Sequence, residues 1–370
     1  MHMHITLPFL LKGEINKLYF NAGLRSLAIS MINIFIPLYL LNLDYPVKTI
    51  LLFFALSYFM HAILVIPAAK IGSKRGFKYL IFMSVPFLVV FYFFLYTLAT
   101  RNWPLAVIAV LFGITNSLFW TGYHIDFSKI THKRKRGSEI SKSFIVRSLF
   151  SAIGPLTGGV ILTFFGFKPL FVIVSIILLL STLPLISSKD FHDKKGFNLK
   201  NTFNKRKLKD FLAFFGHGVE GGVRGVVWPL ILFFIVKGSY TSLGLIYTLA
   251  LIFSSVAIYL TGKYSNLHRK LILKLGAVLT SITWLIRAFI QTITQAFFVD
   301  SFYGISRTST TSAFNAITYD KAKKDPRYIL FREISINLGV SITLVILSFI
   351  PSLKVGLFFA SIGMLFFLLF

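Results

Sequence analysis

The chain has 370 residues, 56% of them hydrophobic and only 14% charged, with 39 lysines and arginines against 12 acids for a net charge of +27. A soluble domain holds about 25% charged residues, so a water-soluble enzyme of one or two domains is excluded. With no cysteine, disulfides and thiolate metal sites are excluded as well.

Residues 1–11 are apolar but have no small-residue cleavage site, so no secretory signal is expected. Apolar runs then follow at 18–43, 49–69, 79–100, 103–125, 148–167 and 169–188. After a polar connector come 208–236, 238–262, 271–290, 294–319, 334–353 and 353–370. Each is close to the roughly 20 residues that cross a bilayer. Backbone groups in lipid must satisfy one another within a segment, which makes these spans helices; a barrel would need short alternating strands. The expected fold is all-α integral membrane, with twelve transmembrane helices in two pseudo-symmetric six-helix bundles. The expected division is 1–188, a connector at 189–207, and 208–370.

Basic residues in the connections are strongly one-sided: 28 lie on the side of the termini and the connector, and 5 on the opposite side. Such a bias places both termini and the long connector in the cytoplasm; the expected location is the cytoplasmic (inner) membrane. There the basic loops meet anionic lipid headgroups. No soluble module remains to bind nucleic acid. The six basic residues left inside spans are all arginine: Arg25, Arg147, Arg224, Arg287, Arg307 and Arg332. An internal repeat is visible in the acids, since Asp126 and Asp320, like Glu139 and Glu333, stand 194 residues apart. Duplicated halves with a site between them are a pattern of secondary transporters.

The loop after the second span reads Ala69, Ser73, Lys74, Arg75, Gly76, Lys78, and the corresponding loop after the eighth reads Gly262, Asn266, Arg269, Lys270. The fifth span contains Gly154-Pro155-Leu156-Thr157-Gly158-Gly159. These residues resemble the major facilitator superfamily. Its loop motif is kept in its small and basic positions, but its Asp is replaced by Ser73 and Asn266. The resemblance implies a gate of charges on the cytoplasmic side. The candidates are Lys74, Arg75, Asp126, Glu139, Arg147, Arg269, Asp320, Arg332 and Glu333. Gly154, Pro155, Gly158 and Gly159 are similar to an element of the family's antiporters. Small residues at this spacing also serve as a plain helix-packing seam.

The resemblance further implies that spans 1, 4, 7 and 10 line a central cavity. On these fall Arg25 and Asn33, then Asn116, Trp120, Tyr123 and His124, then Glu220 and Arg224, and lastly Asp300 and Arg307. Ionisable residues at membrane depth are functional-site candidates. Glu220 and Arg224 lie one helical turn apart and can pair; Asp300 and Arg307 are expected to pair two turns apart. The glycine-rich stretch around Glu220 suggests an irregular helix beside a cavity. Three arginines against two acids favour an anionic or zwitterionic solute held by guanidinium forks. Arg287 is expected to snorkel and is left out of the site. The histidines form no metal site, His61 standing alone.

The expected function is secondary active transport of a small organic solute by alternating access, coupled to protons or another ion. No cofactor is expected, no nucleotide-binding loop is present, and a monomer is expected. Multidrug or lipophilic-solute efflux by antiport is the alternative within the class. A lipid-modifying membrane enzyme is a more remote one.

Overall fold

The computed structural model describes residues 14–130, 136–186, 207–264 and 269–370. Residues 1–11, nearly all of the connector, Asn266 and the Glu139 side chain, on which expectations were placed, lie outside the described residues. Helix α1 (Glu14–Ile32) passes through a short 3-10 turn into α2 (Ile36–Asn42). There follow α3 (Val47–Arg75), α4 (Phe77–Arg101), α5 (Leu105–Ile130), α6 (Arg136–Ala152), α7 (Gly154–Phe165) and α8 (Phe167–Ile186). Beyond the connector, α9 (Leu208–Gly222) continues through a π-helical turn, Val223–Val227, into α10 (Trp228–Ile235). The chain closes with α11 (Tyr240–Tyr264), α12 (Arg269–Arg287), α13 (Ile293–Lys324), α14 (Arg327–Ser348) and α15 (Val355–Leu365). The described residues contain no strand.

The punctuation is chemical. Gly76 takes φ 106° in the one-residue link between α3 and α4, a conformation that a Cβ would strain. Thr292 and Gln295 form a reciprocal capping box that starts α13. Between α13 and α14, Asp325 Oδ1 accepts hydrogen bonds from Arg327 N and Nε at 3.0 and 2.8 Å. Burial would raise the Asp325 carboxyl, but the Arg327 bonds and charge outweigh it and hold it below its usual range.

Eight helical stretches among the described residues are long and apolar enough to cross a membrane. Tyr240–Ser255 and Val355–Leu369 are apolar but shorter. Helices α12 and α13 sit at expected spans but are diluted by charged and hydroxyl residues, much of which they bury against one another, including Thr280 with Ser306 and Arg287 with Asp300. Outward faces carry large bare side chains, among them Phe164, Phe289 and Phe349 at 75, 77 and 69% exposure. On a water-facing surface so much exposed apolar area would drive association; against acyl chains it costs nothing.

Packing runs mostly among neighbours within 14–186 and within 207–370, with two extensive seams between them. Helix α3 lies along α14, and α6 and α7 lie along α11. Gly154 and Gly158 bring α7 onto the backbone of α1, where a Cβ would fall 1.9 Å from Ser30 Oγ and from Met31 O, respectively. On the other side of α7, Gly159 meets Tyr240 O and Gly244 meets Pro155 O at 2.4 and 2.2 Å by the same measure. The 154–159 element is therefore engaged on both flanks as a packing seam.

Candidate functional site

Between the two groups of helices lies a cavity of about 410 Å³. Its wall draws Arg25 and Asn33 from the first helical stretch, Asn116, Trp120, Tyr123 and His124 from α5, and Arg224 from the π-helical turn. Arg307 reaches it from α13. Eight of the ten residues expected along the pathway thus share one chamber. Glu220 stands directly behind the wall, and Asp300 is elsewhere.

Glu220 is fully buried and is the hub of the second half. Its Oε1 accepts a hydrogen bond from Arg307 Nε at 3.0 Å and one from the Tyr303 hydroxyl, and Arg224 Nε lies 3.3 Å away as an ion pair. The one-turn pairing with Arg224 is therefore made, but Arg307 and Tyr303 join it from α13. A carboxylate so deep is tolerable only with this much compensation. The glycines around it act in packing: a Cβ on Gly218 would fall 2.0 Å from Ile336 O, and one on Gly216 2.2 Å from Gly363 O. The irregularity expected of this helix takes the form of the π turn that carries Arg224 and Gly225 to the cavity. Such turns frequently mark functional sites.

Arg25 is 2% exposed, with its guanidinium carbon 3.7 Å from the centre of the Phe119 ring. Its Nε and Nη1 have no hydrogen-bond partner among the described residues. A buried guanidinium normally pairs with an anion, so Arg25 is an uncompensated cation in the cavity wall, its Nε and Nη1 enclosed beside Phe119.

Three gate candidates belong to this chamber instead. Arg147, Arg332 and Glu333 all line the cavity. Arg147 lies over Trp120 and Tyr123, 5.7 and 5.6 Å from the ring centres. Arg332 donates from Nη1 to Glu333 Oε1 and from Nη2 to Asn315 at 3.3 Å. Glu333 also faces two imidazoles, His61 Nε2 at 3.6 Å from Oε2 and His124 Nε2 at 3.6 Å from Oε1. For Arg332 and Glu333 the position follows from helix phase: α14 turns them inward against α3 and α5, which nearness to a basic loop does not reveal. Of the other gate candidates, Arg269 Nη1 donates to Asp320 Oδ2 at 2.7 Å, joining α12 to α13. Lys74 and Arg75 are exposed, with Arg75 donating to the Tyr79 hydroxyl at 3.0 Å, and Asp126 is fully buried on α5.

Asp300 pairs with Arg287, not with Arg307. Its Oδ1 accepts from Arg287 Nε and Nη2 at 2.9 and 2.6 Å, and its Oδ2 from Trp228 Nε1 at 3.0 Å. Arg287 is only 2% exposed and is packed among the rings of Trp228, Trp284 and Tyr303 at 4.5, 4.2 and 3.8 Å. It does not snorkel, because α12 turns it toward α13 and away from lipid. This pair is a structural clamp outside the cavity lining.

Sequence reasoning misses His61, Tyr303 and Tyr319 as members of the site. Tyr303 is legible as the residue one turn before Arg307 on the same helix face. His61 is legible only as an ionisable group in an apolar run, which is itself a site signal. Nothing local marks Tyr319, whose hydroxyl lies 2.6 Å from His124 Nδ1 across 195 residues of chain.

A two-group helical architecture around a polar, arginine-rich chamber is the form of a membrane carrier. The sequence model described as Major Facilitator Superfamily matches residues 18–236. The chain belongs to the major facilitator superfamily. It is accordingly a transporter and not an enzyme, and secondary transport is the mode of this family. No curated protein matches the chain by sequence. Among solved structures it is similar to the human organic anion transporter MFSD10 (TETRAN), with a TM-score of 0.69 at 10% identity, covering 96% of this chain and 99% of that one. It is equally similar to the major facilitator transporter FucP in the outward conformation, with a TM-score of 0.69 at 12% identity, covering 97% and 98%. At such identities the likeness concerns the fold.

Proposed function

We propose that this major facilitator protein moves a small organic anion across the cytoplasmic membrane by alternating access, with the proton gradient as the driving force. In this reading twelve helices form two halves, 1–188 and 208–370, that rock about the cavity, with both termini in the cytoplasm. The observation that carries it is the charge of the chamber. Among the described residues, Arg25, Arg147, Arg224, Arg307 and Arg332 line it, while Glu333 and the Glu220 behind Arg224 and Arg307 are the carboxylates in contact with them. Arg25, a buried cation of the wall whose Nε and Nη1 have no partner among the described residues, supplies the first contact for a carboxylate or phosphate, and guanidinium forks suit planar oxyanions. Trp120, Tyr123 and Phe119 supply the apolar wall for the organic part.

Multidrug efflux is less well supported. Its antiporter-like element is occupied in helix packing, and a lipophilic solute would leave buried guanidinium groups without water or anion.

The test is binding first and transport second. Purified protein in lipid nanodiscs is heated with succinate, citrate or glycerol phosphate. A ligand of the folded state raises the unfolding temperature in a saturable way. Arg25→Ala should weaken the apparent affinity about ten- to a hundredfold, the range for a lost charged hydrogen bond. If no organic anion binds, or Arg25→Ala binds like the parent, the anion reading fails. Uptake of a binding anion into liposomes with an imposed pH gradient then tests the coupling.

A further inference from the structure

The cluster at Glu333 is unlike the rest of the cavity. We propose that Glu333, His61 and His124 form a single proton-binding site whose occupancy ties the two halves of the molecule together. This rests on the proton-coupled reading above and assigns the proton a place, separate from the anion contact at Arg25.

The geometry carries it. The two carboxylate oxygens of Glu333 face different imidazoles, each Nε2 at 3.6 Å: Oε2 toward His61 of α3, Oε1 toward His124 of α5. This is ion-pair distance, longer than a hydrogen bond. All three residues are at most 5% exposed. The Tyr319 hydroxyl of α13 lies 2.6 Å from His124 Nδ1. When Tyr319 donates to Nδ1, the neutral ring carries its proton on Nε2, the nitrogen that faces Glu333.

The surrounding charges set what the site can hold. Arg332, on the same helix, donates to Glu333 Oε1 and keeps one oxygen engaged. Arg147 of α6 lies over the Trp120 and Tyr123 rings next to His124. From α9, His217 faces Phe314 and Phe367 rather than the carboxylate. Arg332 and a carboxylate cancel, so one added proton makes an imidazolium held between two imidazole positions and one carboxylate. A second proton would place like charges together. The arginine beside Glu333 likewise disfavours a metal ion here, and no metal-holding group of side chains occurs among the described residues.

The consequence for motion follows from where the groups stand. His61 and His124 belong to residues 14–130, whereas Glu333 and Tyr319 belong to residues 293–348. With the proton bound, an imidazolium–carboxylate pair bridges α3 or α5 to α14. With it gone, Glu333 retains Arg332 on its own helix, and the bridge loses its charge. A site that gains cross-half attraction on protonation links proton binding to the relative position of the halves.

Trp120 is a built-in reporter, its ring stacked on His124 with centres 5.2 Å apart. A protonated imidazole in that position quenches indole fluorescence. Purified protein in nanodiscs is titrated with acid and base, with no solute present, beside a Trp120→Phe control. The expected result is a fluorescence transition absent from the control and moved to lower pH by about one to three units in Glu333→Gln, the effect of losing one adjacent opposite charge. Should Glu333→Gln fail to purify as a monodisperse protein, His61→Asn must move the same transition. Because the chain has no cysteine, Asn33→Cys adds a single thiol at the cavity wall. Its labelling rate, relative to the same thiol in the Glu333→Gln background, should change across the same pH interval. The proposal is overturned if no Trp120-dependent transition exists, if the variants leave it in place, or if labelling keeps a constant ratio across it. None of these readouts uses an anion, so a failure here leaves the Arg25 reading standing, and a failure there leaves this one.

Discussion

Glu220 and Asp300 are both acids at membrane depth, yet the structure gives them different work. Glu220 is completely enclosed while its partners Arg224 and Arg307 reach the cavity, so its charge sets the charge of the wall. Removing one partner from a buried ion pair costs about 3–5 kcal/mol, and Glu220→Gln should lower the unfolding temperature accordingly in a thermal-melt assay. Asp300 and Arg287 form a closed pair away from the cavity. Asp300→Asn or Arg287→Leu alone should destabilise on the same scale. The double replacement Asp300→Leu with Arg287→Leu should recover much of the loss, since hydrophobic pairs of suitable shape replace buried ion pairs at little cost. A double variant no better than the singles would show that the clamp matters for more than its charges. Spacing along one helix makes Glu220 and Arg224 legible as a pair. The choice of Arg287 over Arg307 as partner for Asp300 depends on how α12 is rotated against α13, which residue intervals do not encode.

Helix contacts make the next scale of argument. Gly158 and Gly159 of α7 and Gly216 and Gly218 of α9 stand where two backbones touch, so a Cβ at these positions has no room. Gly158→Ala would set a methyl 1.9 Å from Met31 O, and because that atom is backbone, α1 and α7 must part. Overpacking of this kind costs about 1–3 kcal/mol, visible as a lowered melting temperature. Gly221, also in a glycine-rich stretch, meets nothing nearer than Val340 Cγ2 at 3.7 Å. Gly221→Ala should therefore be neutral or stabilising by about 0.5–1 kcal/mol, the helix preference of alanine over glycine. If both variants melt alike, the seam does not govern stability. The small-residue pattern at 154–159 is readable as a close approach, but not which helices approach: α1 on one flank and α11 on the other are separated from it by more than a hundred residues in one case and by the whole connector in the other. The π turn at Val223–Val227 has a sequence cue in Gly225 and in the glycines before it, of which Gly218 packs on α14 and Gly216 on α15.

At the scale of the molecule, the imbalance of 28 basic loop residues against 5 predicts topology. The cysteine-free chain makes this directly measurable. A thiol at Arg101→Cys or Lys354→Cys should react with a membrane-impermeant reagent added outside intact cells, and one at Lys74→Cys should react only after the membrane is opened. The reverse pattern would invert the orientation and with it the side on which the gate candidates lie. In the rocking motion proposed above, the two seams, α3 with α14 and α7 with α11, are the surfaces across which the halves would slide, and the Glu333 cluster sits beside the first of them.

Apolar runs of bilayer length, one-sided loop charge and a 194-residue repeat are properties of the chain itself, because lipid acts on each segment alone and each segment must satisfy its own backbone. Membrane insertion, helical class and the resemblance to a facilitator are for that reason written in the order of the residues. Pairing of charges is different. Arg25 buried with donors unpartnered among the described residues, Arg287 clamped on Asp300, and Glu333 facing His61 and His124 all arise from the rotation of one helix against another. That rotation is decided by packing among side chains far apart in the chain, and only the tertiary structure holds it.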